Sequence, residues 1–91
     1  MQLSALPVFF EELNAQLTQA PDEVRRLFHG RGQRWEGLEQ ITCDWLQGQL
    51  VVNLFKEVEE EFLQALEQGL QALSQSSLWQ QRNGSCILLQ H

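Results

Sequence analysis

The sequence predicts an α+β domain: a small, mostly antiparallel sheet of three to four strands, a long helix packed on one face, and an extra N-terminal helix. Three observations carry this. Gln47-Gly48 sits between two apolar runs, and a two-residue loop with glycine second favours a primed hairpin turn. Within residues 57–75, Val58, Phe62, Leu66, Leu70 and Leu73 form one stripe with Leu63 beside it, the spacing of an amphipathic helix. The chain has 91 residues, 43% of them hydrophobic, enough for one domain with a modest core and too apolar for a disordered chain.

The elements follow in order. Residues 7–20 carry apolar side chains at Val8, Phe9, Leu13, Leu17 and Ala20, mostly four apart, which predicts the N-terminal helix. Ser4 is its expected N-cap and Pro7 falls in its first turn. Pro21 ends it, because the residue before a proline avoids the α region. Asp22 is placed to cap a short turn leading to Arg25. Residues 26–29 read as a short strand and 30–39 as a loop. Gly30, Gly32 and Gly37 punctuate that loop, with positive φ as their expected use. No helix opens after the Gly-x-Gly pair and no Lys-Ser/Thr follows it, so a P-loop is not indicated.

Pairing outward from Gln47-Gly48 sets Trp45 opposite Leu50, Cys43 opposite Val52 and Ile41 opposite Leu54. Alternation along the strands places these six on one apolar face. Asp44 with Val51 and Thr42 with Asn53 fall on the other, mixed face. A slip of one residue scrambles the sorting, which favours this register; a longer loop is the alternative. Beyond it, Glu57, Glu59, Glu60 and Glu61 crowd the expected first turn of the long helix, where negative charge suits the helix dipole. Ser74 to Ser77 read as a helix end and connection, and Asn83-Gly84 as a turn. Ser85 to Gln90 form the last strand. Its run Cys86-Ile87-Leu88-Leu89 is continuous and apolar, a pattern that predicts burial on both faces. The expected organisation is a single domain over 1–91, with the helix at 7–20 preceding a β-β-β-α-β unit at about 26–90. The abrupt final strand suggests the N-terminal part of a longer enzyme.

The formal charge is −6, which disfavours a free-standing nucleic-acid binder, since affinity for nucleic acid depends on neutralising phosphates. The distribution is uneven. Arg25, Arg26, Arg31 and Arg34 are four of the six basic side chains. Arg26, Arg31 and Arg34 with Trp35 form the candidate RNA-binding set, because arginine contacts phosphate and tryptophan stacks on unpaired bases. The alternative for Trp35 is a plug that holds the loop on the core. His29 is the one base in a polar, glycine-rich setting, yet no nucleophile can be placed beside it from sequence. The glutamates at 57–61 read as a solvated helix start. No catalytic, cofactor-binding or metal-binding set is predicted. Cys43 and Cys86 match no metal or CxxC pattern and read as reduced core thiols. No apolar run reaches the ~18 residues of a membrane span, and no signal peptide is apparent. A cytoplasmic location is the expectation.

Arg26, Leu27, Gly30, Gly37, Leu38, Asp44, Gly48 and the run Leu50 to Phe55 occur in an order that resembles a known family. It is similar to the middle domain of the class I S-adenosylmethionine-dependent methyltransferases that make 5-methylcytosine in large-subunit ribosomal RNA, and of their uncharacterised relatives. The resemblance covers roughly residues 25–90. It departs at Arg31 and Gln33, where the family carries Glu and Asp, at Glu36, where it carries Pro, and in a short insertion between Gly37 and Asp44. The resemblance implies a non-catalytic, pre-catalytic β-β-α-β unit that scaffolds domains and helps hold RNA. It implies that no cofactor binds this chain, that S-adenosylmethionine serves the full-length protein, and that the chief partner is its own C-terminal catalytic domain. The competing expectation is a stand-alone interaction domain that forms a homodimer through a sheet edge.

Overall fold

The structure is a computed structural model that describes residues 3–19, 24–30 and 37–90. It is α+β, with four strands in the order β1-β2-β3-β4. A 3₁₀ turn at Leu3–Ala5 runs into α1 (Leu6–Gln19). Strands β1 (Arg25–His29), β2 (Ile41–Leu46) and β3 (Gln49–Leu54) follow, then α2 (Glu60–Ser74), α3 (Ser77–Gln81) and β4 (Cys86–Gln90). β1, β2 and β3 pair antiparallel, whereas β4 joins β3 in parallel after the helical crossover.

The hairpin register agrees with the expectation at every pair, from Ile41 opposite Leu54 to Trp45 opposite Leu50. Gln47 and Gly48 both have positive φ, 53° and 100°. Two such residues make a type I′ turn, whose twist matches that of the flanking strands. The six predicted core residues are all buried. Across from Cys43, β1 presents Phe28, with the register shifting around Leu27. This bulge lets adjacent Leu27 and Phe28 both be buried.

The three described α-helices lie on that one face. Phe9 of α1 meets Phe28 edge-on, with ring centroids 4.9 Å apart. Trp79 of α3 meets Trp45 edge-on at 5.6 Å. Leu70 of α2 lines a groove with Ile87 and Leu89 of β4, which pack on the core and share its face through their pairing with Leu50 and Val52. The stripe Phe62, Leu66, Leu70 and Leu73 is buried as expected.

Several expectations are corrected. The buried stripe of α1 is Leu6, Phe9, Leu13 and Leu17. Val8 is 47% exposed, because it lies about 100° around the helix from Phe9. Ser4 belongs to the 3₁₀ turn rather than capping α1. Ala20, Pro21, Asp22, Gly32 and the expected helix stop lie outside the described residues. α2 begins at Glu60, not 57, since Glu59 is extended and is the residue whose carbonyl accepts from Leu63 N–H. Glu57 therefore precedes the helix. The Ser74–Ser77 connection contains the start of α3. Ser76 caps it by accepting from Trp79 N–H at 3.2 Å. Arg82 donates to the Thr18 carbonyl and ties the end of α3 to the last turn of α1.

β4 is not buried on both faces. None of its residues is fully buried and Leu88 is 44% exposed. A strand with one neighbour and helices on one side only has no second layer to bury its outward side chains.

Candidate functional site

The sheet face opposite the helices carries the polar residues. The registers place Arg26, Asp44, Val51 and Leu88 in one row across it, with Thr42 beside His29 and Asn53 in another. Arg26 grips Asp44 with two hydrogen bonds, Nε to Oδ1 at 2.7 Å and Nη2 to Oδ2 at 3.2 Å. The bond to Asp44 raises the Arg26 guanidinium further above its ordinary value. Arg26, the described member of the predicted RNA-binding set, is thus engaged within the fold. Arg31, Arg34 and Trp35 lie outside the described residues.

What the structure does describe is the stem that carries them. Gly30 N–H donates to the Ile41 carbonyl at 2.9 Å. A Cβ on Gly30 would fall 1.6 Å from the Leu38 carbonyl oxygen, so only glycine allows the ends of the loop to close this tightly. Gly30 is not needed for positive φ. Gly37 does have positive φ, at 85°, and its N–H donates to Glu39 Oε1 at 2.9 Å. That hydrogen bond holds the Glu39 carboxyl below its ordinary pKa. The arginine loop therefore leaves the sheet from a pinched stem.

The pairing of β1 with β2 sets His29 opposite Thr42, a juxtaposition the sequence did not disclose. It does not make a nucleophile–base pair. Thr42 is 3% exposed, and its Oγ1 makes no hydrogen bond among the described residues. Cys43 is buried. Burial first, and the nearby Asp44 charge second, push its thiol well above the ordinary range, so it stays protonated and is a poor nucleophile. Cys86 is only half-buried, correcting its expected place in the core. No group of three or more His, Cys, Asp or Glu side chains able to hold a metal comes together among the described residues. No described helix is long and apolar enough to cross a membrane.

A family model described as S-adenosylmethionine-dependent methyltransferase matches residues 25–91. The chain belongs to this family. The match starts at β1 and takes in the whole sheet, α2 and α3, while α1 lies before it. Comparisons with curated proteins and with solved structures return no match.

Family membership raises the question whether these residues can cradle S-adenosylmethionine. A nucleotide cradle uses glycines after a strand, so that the ligand approaches backbone at a helix N-terminus. At four of the described glycines the clearance is filled by the protein itself. Gly30 backs onto Leu38, Gly48 onto Asn83, Gly69 onto the Phe10 ring and Gly84 onto the Trp79 indole. The strand-to-helix passage from β3 to α2 runs through Phe55-Lys56-Glu57-Val58-Glu59 and contains no glycine. Gly30, Gly48, Gly69 and Gly84 therefore offer no such cradle.

Proposed function

We propose that residues 25–91 are a non-catalytic scaffolding and substrate-recognition unit of an S-adenosylmethionine-dependent methyltransferase that modifies RNA, of the kind that forms 5-methylcytosine in large-subunit ribosomal RNA. Cofactor binding and methyl transfer belong to a separate catalytic domain of the same protein, which is this unit's main partner. One observation carries the reading: within the family match, the clearances at Gly30, Gly48, Gly69 and Gly84 are taken up by Leu38, Asn83, Phe10 and Trp79 and leave no room for a ligand.

The RNA contact falls to the loop on the pinched stem. Arg31 and Arg34 supply charge, Trp35 a stacking plane, and Arg26 contributes only by exchanging Asp44 for a phosphate. Exposed Glu57, Glu59, Glu60 and Glu61 make the start of α2 a repulsive surface for phosphate. Few phosphates are neutralised, so binding by this chain alone is weak and salt-sensitive, and tethering to the catalytic domain supplies the remaining affinity.

Two titrations test the reading. Calorimetry with S-adenosylmethionine should give no binding heat, and a dissociation constant in the micromolar range would overturn it. Chemical-shift mapping with a short single-stranded ribosomal RNA at low salt should move residues 26–37, and the shifts should vanish in Arg31→Glu/Arg34→Glu. Shifts centred on α2, or none at millimolar RNA, would refute the RNA contact.

A further inference from the structure

The outer edge of β4 is an open backbone ladder. Cys86 N–H is directed at Gly48 O, 3.4 Å away, so Cys86 faces its neighbour β3. Backbone groups alternate sides along a strand. Ile87 and Leu89 therefore direct their N–H and C=O groups away from the sheet, and no described strand pairs with them. Cys86-Ile87-Leu88-Leu89-Gln90 contains no charge and no proline, and its pairing with β3 is free of bulges. It thus lacks the usual devices that keep an edge from recruiting another strand. Beside it runs a groove of about 300 Å³ between α2 and β4, where Leu70, Ile87 and Leu89 are joined by Glu67, Gln71 and Ser74.

We propose that this edge is a self-association site, at which β4 of a second copy pairs antiparallel about a two-fold axis through Leu88. The strand is self-complementary in that register. Ile87 and Leu89 fall opposite Leu89 and Ile87 of the other copy, and all their outward backbone groups become paired. Leu88 meets Leu88 on the open face as a non-hydrogen-bonded pair, the closer of the two antiparallel pair types. The two-fold stands perpendicular to the sheet, so the helices stay on one face. The grooves under Ile87 and Leu89 then adjoin and lose their exposed side. No charge lies on the pairing strand to oppose contact, while the whole chain carries −6.

The area sets the strength. A five-residue strand is about 17 Å long, and one sheet layer plus one helix layer is about 20 Å deep, giving on the order of 350 Å² per copy. Stable interfaces bury about 800 Å² per partner, so this dimer is weak, with a dissociation constant on the order of 0.1 mM. Because both copies are acidic, salt screens their repulsion and strengthens pairing, the opposite of its effect on RNA binding.

Sedimentation equilibrium of the 91-residue chain, run at concentrations on both sides of that constant, tests the proposal. The mass should rise from 10.6 kDa towards twice that value, and more steeply at high salt. Leu88→Arg places like charges opposite one another at an exposed position and should leave only monomer, with unchanged circular dichroism. In a Cys86→Ser background, Leu88→Cys should cross-link rapidly on mild oxidation, because Cα atoms about 4.5 Å apart suit a disulfide. Ser85→Cys in the same background should cross-link far more slowly. A wild-type chain that stays monomeric at ~1 mM, well above the expected constant, overturns the proposal. So does a dimer indifferent to Leu88→Arg, or equal cross-linking from Ser85→Cys and Leu88→Cys.

Discussion

The two edges of the sheet are finished in different ways. β1 carries exposed Arg25, Arg26 and His29, a bulge at Leu27, and α1 packed directly over it. Arg25 Nη2 donates to Gln16 Oε1 at 3.1 Å and Arg26 holds Asp44, so both arginines tie the edge to its surroundings. β4 carries neither charge nor bulge, and α2 covers only its inner face. The difference follows from how each edge was reached. β1 adds to the hairpin as a third antiparallel strand with a helix of its own. β4 arrives by a crossover whose helices must also cover β3, so its outer side is left bare. One edge is closed by local chemistry, and the other is left bare among the described residues.

The comparison can be broken by truncation on each side. Phe28→Ala should cost ~3–5 kcal/mol in urea melts, since Phe28 is buried against Phe9 and truncation removes that packing. Leu88→Ala, at 44% exposure, should cost less than ~1 kcal/mol under dilute conditions. Similar losses at both positions would mean that the edges are equally packed.

Thiol labelling sharpens the contrast between sheet interior and bare edge. Cys43 should react only through opening of the sheet, on the order of 100-fold or more slower than half-buried Cys86. Mass spectrometry after brief alkylation checks this, and comparable labelling of the two would contradict the burial of Cys43.

The smallest effect is expected at the closed edge itself. Asp44→Asn removes the partner of Arg26, whose side chain is 49% exposed against 22% for Asp44. Solvent screens such a pair, so the loss should be about 0.5 kcal/mol and shrink further with salt. A loss several times larger would show that the ion pair, rather than α1, secures β1.

Much of this fold could be read from residue order. The hairpin register was legible because an alternating apolar pattern and a two-residue turn allow one sorting of Ile41, Cys43, Trp45, Leu50, Val52 and Leu54. The stripe of α2 was legible because Phe62, Leu66, Leu70 and Leu73 repeat at helical spacing. Periodicity misplaces the phase of α1 at Val8, since valine and leucine weigh alike in a periodicity and only packing against Phe28 selects the buried set. α3 is not legible in the sequence because a five-residue helix has little periodicity of its own and rests on the Ser76 cap and the Trp79–Trp45 contact. The apolar run of β4 suggests double burial, yet a run reports apolarity and not the number of neighbouring layers.

For the site, residue types identified the arginine loop, while tertiary structure alone showed Arg26 held by Asp44, His29 set opposite Thr42, and Gly30 pressed on the Leu38 carbonyl. What the sequence determined by itself were the features set by near neighbours along the chain: the turn, the alternation, the amphipathic stripe and the composition. Tertiary structure decided which strand became an edge, which face the helices took and which glycines were closed by the fold, because each depends on contacts between segments far apart in sequence.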